Sequence, residues 1–349
     1  MTRRIWSSAL LVAIALSTGV AVSAAQQQKA KSGWTKQTPD GQPDLQGVWS
    51  NNVITPLQRP LELNGRATLT QAELESLKKR VSELFSGDGD AAFADGVFLA
   101  AIRGASTYKS GDGGTGNYNH FWLAERTFDN RTSLVTDPPD GRIPSLTPEA
   151  ERRIAASAAR RREHPADGPE DLNMSTRCIS FGLPNVLAGY NANVQIVQSR
   201  NYVVLYHEMI HDARIIPLDG RPHIPSNIRH RLGDSRGHWE GNTLVIETTN
   251  FTPNAFSGPG SGRAGETSER LKVIERLTRV DADTLQYEFT MDDPQTWTRP
   301  WTAMIPWRKT NEKVYEYGCH EGNTGLYGIL SGTRFQEKAA AKKNGPGSN

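Results

Sequence analysis

Apolar and polar residues alternate along most of the second half of this 349-residue chain. A repeat of two residues is typical of strands with one buried face. Short polar connections such as Gly241-Asn242 separate the runs and favour hairpins. The predicted strands are 194–198, 202–216, 237–240, 243–249, 271–280, 284–291, 301–307 and 314–319. This series of hairpins without intervening helices predicts a mainly β fold, either an antiparallel β-barrel or a strongly curved sheet.

A repeat of three and four residues predicts two helices before the strands. The first begins at the capping-box pair Thr70 and Glu73, and its apolar positions run to about residue 85. The second begins at Thr147-Pro148, with proline at the first helical position, and ends near residue 162. Between them, residues 87–119 are rich in Gly, Asp and Ser and are predicted to form a long irregular region.

The N-terminal residues have the order of a secretory signal. Arg3 and Arg4 precede an apolar run, and small residues follow it, which predicts cleavage after about Ala24 or Ala25 and export to the periplasm or medium. No later run reaches the ~20 apolar residues of a membrane span. The predicted organisation is a signal peptide (1–25), a flexible tether (26–44), a strand with helices and long loops (45–177), a β-barrel core (178–334) and a disordered tail (335–349).

The charges and cysteines exclude some classes of partner. The 40 basic and 38 acidic residues nearly cancel, so a nucleic-acid partner is not predicted. Cys178 and Cys319 could form a disulfide in an oxidising compartment or remain two buried thiols, and the sequence leaves both possibilities open. Two cysteines are too few for a cysteine-rich metal site. The oligomeric state is not predicted.

Residues 207–211, His-Glu-Met-Ile-His, have the spacing of a zinc peptidase. On a helix, His207 and His211 would bind zinc and Glu208 would act as the base. On the predicted strand, the two histidines share one face and Glu208 lies on the other, which separates base from metal. The strand interpretation therefore predicts no cofactor, and the zinc peptidase with ligands His207 and His211 is the alternative.

Polar side chains concentrate along the predicted strands and could converge in a barrel mouth. Such groups favour general acid–base catalysis on a carbohydrate or another polar small molecule, by an exported lyase or hydrolase. The candidate catalytic residues are His211, His223, His238, Tyr206 and Glu208. The candidate substrate-binding residues are Arg214, Asp212, Arg236, Tyr317 and His320.

A binding protein without catalysis is the alternative from another class. Gly47-Val48-Trp49 is a G-x-W pattern. Calycin barrels such as lipocalins often begin with this pattern, and its tryptophan closes the floor of the barrel. An ordinary first strand with one buried tryptophan fits the three residues equally. An apolar ligand pocket could be lined by Trp297, Trp301, Trp307, Tyr315 and Tyr317, or these could be ordinary core.

Residues 177–334 resemble a family of exported β-rich bacterial proteins, common in acidobacteria and some proteobacteria. The resemblance rests on PDLQGVWSN, HDARIIPLDGRPH, GDSRGHWEGNTLVIETTNF, RLTRVDADTLQYEFTMDDPQTWTRPWTA and YEYGCHEGNTGL. It implies an exported β-rich fold and no particular activity. In that family the position of His207 is not typically histidine, which argues against the zinc site.

Overall fold

The computed structural model of the protein describes residues 33–84, 95–106, 125–186, 189–253 and 267–344. The predicted signal peptide and most of the predicted irregular region lie outside the described residues. The strands are β1 (Gly47–Ser50), β2 (Val135–Asp137), β3 (Asn193–Gln198), β4 (Tyr202–His207), β5 (Ala213–Pro217), β6 (Asp234–Glu240), β7 (Thr243–Thr249), β8 (Lys272–Arg279), β9 (Thr284–Asp292) and β10 (Trp301–Thr310). The helices are α1 (Gln71–Leu84), α2 (Asp95–Ile102), α3 (Pro148–Glu163) and α4 (Thr324–Asn344).

All ten strands belong to one sheet, which confirms the prediction of a mainly β, antiparallel fold. The hydrogen-bonded order is β5-β4-β3-β1-β10-β9-β8-β7-β6, and β2 pairs with β10 beside this path. Neighbours in the sequence mostly pair as hairpins, while β1 joins the two halves by pairing with β3 and β10. The first strand among the described residues therefore lies in the interior of the sheet.

The two edge strands, β5 and β6, are not joined by backbone hydrogen bonds in the described part of the chain, so the sheet is not a closed barrel. They meet through side chains instead. Arg214 on β5 donates to Ser235 Oγ on β6 at 3.0 Å. A Cβ at Gly237 on β6 would lie 2.9 Å from Ile216 Cγ2 on β5, so the glycine allows this close approach.

The inward face of the sheet is filled with large apolar side chains. Trp49, Trp301 and Trp307 are fully buried there. The ring of Tyr287 stacks on Trp307 at 4.4 Å between centroids. Each large side chain buried in this way contributes about 1.5–3 kcal/mol to the stability of the fold. One continuous apolar core therefore stabilises the sheet.

The N-terminal helices form a separate apolar cluster. Leu74, Leu77 and Val81 of α1 pack with Val97 and Phe98 of α2. The predicted start of α1 is confirmed, because Thr70 N donates to Glu73 Oε2 at 2.8 Å and Glu73 N to Thr70 Oγ1 at 3.3 Å. The predicted start of α3 is confirmed by Ala150 N, which donates to Thr147 Oγ1 at 3.1 Å. α2 lies inside the region predicted to be irregular, and its burial against α1 accounts for this helix.

Two predicted strands differ from the structure. The predicted strand 202–216 is divided into β4 and β5 by a turn, described below. The predicted strand 314–319 has no ladder partner among the described residues. Its N–H groups find other acceptors: Tyr315 N donates to Glu208 Oε1 at 3.0 Å, and Cys319 N to the carbonyl of Tyr317 at 2.8 Å.

Both ends of the described chain are more ordered than the sequence predicts. Within the predicted tether, Trp34 Nε1 donates to the carbonyl of Asp44 at 3.0 Å, and the Trp34 ring lies 3.7 Å from the Arg279 guanidinium. Part of the predicted tail belongs to α4, where Asn323 Oδ1 accepts from Leu326 N at 3.0 Å as an N-cap. No described helix is long and apolar enough to cross a membrane.

Candidate functional site

The His-Glu-Met-Ile-His segment forms a tight turn between β4 and β5. β4 ends at His207, a 3-10 turn spans Met209–His211, and β5 begins at Ala213. His207 N donates to the carbonyl of Asp212 at 2.8 Å and closes the turn. The prediction that His207 and His211 share one strand face is therefore wrong, because His207 is buried and His211 is exposed.

The backbone of this turn is strained. Ile210 has φ 56° and ψ 19°, and His211 has φ 46°. Left-handed conformations are unfavourable for residues other than glycine, most of all for a β-branched residue. Cys178 (φ 54°) and Asn191 (φ 46°) adopt the same conformation nearby. Each such residue costs about 1–3 kcal/mol, and residues of this kind often cluster at functional sites. We therefore take this region as the candidate site and call it the strained corner. It consists of residues 178–181, 190–193, 208–212 and 315–319.

Apolar contacts and a disulfide hold the strained corner together. Met209 and Ile210 are buried against Ala192, with partly buried aromatic side chains around them. Cys178 and Cys319 form a disulfide with 5.6 Å between their Cα atoms. The disulfide settles the alternative that the sequence left open, and it fixes the segment before α4 beside the turn.

His211 is an exposed titratable group of this corner, as are Tyr315 and Glu316. Its Nδ1 lies 3.2 Å from the carbonyl oxygen of Tyr317. A carbonyl oxygen only accepts hydrogen bonds, so in the neutral ring Nδ1 carries the proton and Nε2 is the basic nitrogen. An exposed imidazole with a fixed tautomer is suited to proton transfer.

Asp212 lies next to His211 and is held in one orientation. Its Oδ2 accepts from Ser180 Oγ and from Phe181 N, each at 3.0 Å. Burial raises the pKa of Asp212, and these hydrogen bonds and the charges of His211 and Arg214 offset part of the rise. The carboxylate and the imidazole therefore influence each other electrostatically.

Glu208 has a structural position in the corner. Its side chain is buried. Oε1 accepts from Tyr315 N at 3.0 Å, and Oε2 accepts from Asn193 N at 3.4 Å. It thereby connects β3 to the segment that carries Tyr317.

Arg214, predicted to bind substrate, lies in a buried ion pair inside the sheet. Its Nη1 and Nη2 donate to the two oxygens of Glu275 at 2.9 and 2.6 Å. Nη2 also reaches Ser235 Oγ and Thr248 Oγ1, and Tyr287 donates to Glu275 at 2.8 Å. Burial alone would lower the pKa of Arg214, but the charge and hydrogen bonds of Glu275 raise it. This network joins β5 to strands at the opposite edge of the sheet.

His207 faces the same buried network. Burial, and secondly the positive charge of Arg214, lower its pKa to about 3. The imidazole is therefore neutral at neutral pH and behaves as part of the core.

His223 and Arg236, two further predicted residues, come together away from the strained corner. His223 Nδ1 lies 2.7 Å from Asp234 Oδ2, and Nε2 lies 3.4 Å from Glu247 Oε1. Arg236 Nη1 donates to Asp234 Oδ1 at 2.7 Å. Both nitrogens of the imidazole therefore face carboxylates, and the cluster fastens the loop before β6 to the edge of the sheet.

The remaining predicted residues are dispersed. Tyr206 is half-buried on β4 and pairs with Gln195 and Ala213 on the neighbouring strands. His238 is exposed on β6, with Nε2 3.2 Å from Glu240 Oε1. His320 is exposed and follows the disulfide. Of the ten predicted site residues, the structure brings together Glu208, His211, Asp212 and Tyr317, with His320 adjoining them in the sequence.

Two contributions were missed from the sequence. Glu275 occupies an inward position between Val273 and Leu277 on β8, and a carboxylate among buried apolar residues is a signal that strand alternation offers. The carbonyl of Tyr317 has no sequence signal, because any residue could supply it.

No group of three or more His, Cys, Asp or Glu side chains in the described part of the chain is arranged to hold a metal ion. Comparisons with protein-family models, curated proteins and solved structures find no match.

Proposed function

We propose that the protein is an exported enzyme of the lyase or hydrolase type that acts on a carbohydrate or another polar small molecule, with His211 as the proton-transferring residue. The observation that carries this proposal is the contact between His211 Nδ1 and the Tyr317 carbonyl, which directs the basic nitrogen of an exposed ring away from the protein backbone. The strained backbone at Ile210 and His211 supports it, because such strain persists at functional sites.

In this proposal Nε2 of His211 accepts a proton from the substrate in a lyase, or from the attacking water in a hydrolase. The ring then carries a positive charge. The Tyr317 carbonyl accepts a hydrogen bond from Nδ1 in both protonation states. The proton returns from Nε2 to the leaving group or to solvent.

We further infer a lipocalin-like curvature of the sheet. Two observations support it: the edge strands β5 and β6 contact each other, and Trp49 is fully buried with the Arg279 guanidinium 5.0 Å from its ring centroid. A tryptophan closing one end of a curled sheet is what the G-x-W interpretation requires.

Export and the resemblance to exported β-rich bacterial proteins remain part of the proposal. The disulfide between Cys178 and Cys319 is compatible with an oxidising compartment and supports export.

The two alternatives receive less support. An apolar carrier would need a pocket beside its aromatic residues, but Trp297, Trp301 and Trp307 are 1%, 0% and 0% exposed and lie in the packed core. Of the two tyrosines, Tyr315 is 64% exposed at the surface and Tyr317 is partly buried in the strained corner. A zinc peptidase would need His207 and His211 on one helical face, and they lie in the core and at the surface respectively.

The test is turnover by the secreted protein on a panel of neutral and uronate-containing oligosaccharides, followed by new reducing ends and by the absorbance of unsaturated products. His211→Ala should reduce the rate by about a hundredfold or more, as loss of a general base does. His238→Ala is the matched control, because His238 is also exposed and also bonded through one nitrogen.

Equal rates for the wild type and His211→Ala, or no turnover of any substrate in the panel by either protein, would contradict the proposal. Circular dichroism of both variants checks that neither substitution unfolds the chain.

A further inference from the structure

One face of α4 carries exposed side chains of two kinds, aromatic and basic. Tyr327 and Phe335 are 77% and 74% exposed. Lys338 and Lys342 are exposed as well. Together with Ser331 they follow one another at the three- and four-residue intervals of a single helical face, which we call the exposed stripe. At 1.5 Å of rise per residue, the stripe is about 22 Å long.

A different face of α4 is attached to the rest of the protein. Arg334 donates to the carbonyls of Ala166 and Asp167, each at 3.0 Å. Leu326 and Leu330 lie four and eight residues before Arg334, on the same helical face, and are partly buried. These contacts fix the rotation of the helix about its axis, so the exposed stripe is directed toward solvent.

The positive charges of the exposed stripe are not neutralised by the helix itself. Lys338 and Lys342 have no ion-pair partner in the described part of the chain. Glu337, the acidic residue of α4, lies outside the stripe, and its two carboxylate oxygens accept from Arg334 at 2.6 and 2.7 Å. The stripe is therefore cationic, and an anionic surface complements its charge.

Aromatic rings beside lysines suit a bilayer surface better than a protein partner. Lysine is depleted at the core of protein–protein interfaces. At a bilayer surface, aromatic rings enter the headgroup region, while lysines lay their hydrocarbon stems along it and keep their ammonium groups beside the lipid phosphates. Since no described helix is long and apolar enough to cross a membrane, α4 would lie along the surface.

We propose that the exposed stripe of α4 binds the surface of a bilayer that contains anionic phospholipids. Lys338 and Lys342 face the lipid phosphates, and the rings of Tyr327 and Phe335 enter the headgroup region. Charge complementarity carries the choice of occupant. The proposal does not depend on proton transfer by His211, because α4 and the strained corner share no residue.

The test is flotation of the full chain with vesicles of phosphatidylcholine alone or of an equimolar mixture with phosphatidylglycerol. The wild type should float with the mixed vesicles, and less so as salt is added, because salt screens exposed charges. It should bind the neutral vesicles at least tenfold more weakly, since each lysine near an anionic surface contributes about fivefold in affinity.

Replacing Lys338 and Lys342 together with glutamine should weaken binding to the mixed vesicles by about tenfold or more. The matched control replaces Lys309 and Lys313 with glutamine. Both are exposed lysines outside α4, and their replacement changes the net charge by the same amount. The control should bind within about twofold of the wild type, because charges away from the contact are screened.

Replacing Tyr327 and Phe335 together with serine should also weaken binding by about tenfold or more, since the rings lose their burial among the headgroups. Phe335→Trp keeps an aromatic ring and should bind at least as tightly as the wild type. His211→Ala should float like the wild type, so a failure of the enzymatic proposal leaves this result unchanged.

Four results would overturn the proposal: no binding to the mixed vesicles, equal binding to the neutral vesicles, unchanged binding in both stripe variants, or equal weakening by the lysine control. Sedimentation velocity shows whether the exposed stripe packs against a second copy instead. A dimer that the serine variant dissociates, without flotation of the wild type, would assign the stripe to that contact. Circular dichroism of each variant confirms that the chain is folded.

Discussion

Replacing His207 with phenylalanine should make the protein less sensitive to mild acid. The imidazole is buried beside Arg214, and burial first and that charge second lower its pKa to about 3. In the unfolded chain the same ring titrates near its ordinary value of about 6.5. Between these two values the unfolded state binds the proton and the folded state does not. Stability from this residue is therefore fully present above about pH 6.5 and falls as the pH drops toward about 3.

The magnitude follows from the two pKa values. Each unit of difference corresponds to about 1.4 kcal/mol, so the whole window allows a loss on the order of 4–5 kcal/mol. Between about pH 7 and about pH 5, protonation of the unfolded imidazole alone lowers the free energy of unfolding by about 2 kcal/mol.

The assay is urea unfolding at these two pH values, followed by tryptophan fluorescence with the disulfide intact. The phenylalanine variant should lose about 2 kcal/mol less than the wild type between them. Asp212, whose pKa is raised by burial, acts in the opposite sense, since its contribution is lost as the pH rises. It is present in both proteins and cancels. An equal loss in the wild type and His207→Phe would refute the reasoning.

Two further predictions concern the links that hold the sheet and the strained corner. Glu275→Gln leaves the buried charge of Arg214 without a carboxylate and should lower the free energy of unfolding by about 3–5 kcal/mol, measured by urea unfolding. The double variant Arg214→Met, Glu275→Leu removes both charges and should recover most of that loss. Equal losses in the single and double variants would contradict the ion-pair account. Replacing both Cys178 and Cys319 with serine removes a disulfide that links residues 141 positions apart. The loss should lower the free energy of unfolding by about 4–5 kcal/mol, because the unfolded chain gains conformational entropy. The shift of the urea midpoint measures this effect, and an unchanged midpoint would contradict the prediction.

Local signals in the sequence were sufficient for much of the secondary structure. The capping pair Thr70 and Glu73 predicted the start of α1, and Gly241-Asn242 predicted the hairpin of β6 and β7. These signals succeed because a cap or a tight turn involves residues a few positions apart, whose chemistry can be seen together in the sequence.

The turn at residues 208–212 could not be predicted in the same way. Ile210 favours strands, and nothing in the local sequence announces a left-handed conformation there. The turn is stabilised by distant groups, among them Ala192, Ser180 and the backbone of Tyr315. Tertiary contacts therefore override local preference, and the continuous strand predicted from alternation becomes two.

In the candidate site, too, some features could be predicted from the local sequence and others depend on distant contacts. Titratable residues were identified by type, but their grouping depends on pairings that the sequence does not reveal. Arg214 follows Asp212 by two residues, yet Arg214 points into the core and pairs with Glu275, while Asp212 lies in the strained corner. The turn before β5 decides which of these two side chains, Asp212 or Arg214, is buried in the core.

The most direct test of the central claim, that His211 transfers a proton in the strained corner, is rescue of His211→Ala by added imidazole on a substrate that the wild type converts. The free base can occupy the space of the missing ring and accept the proton, so the rate of the variant should rise with imidazole concentration toward that of the wild type. A purely structural histidine would not give this response. A folded His211→Ala protein whose rate is low and unaffected by imidazole, or is already equal to that of the wild type without imidazole, would contradict the account.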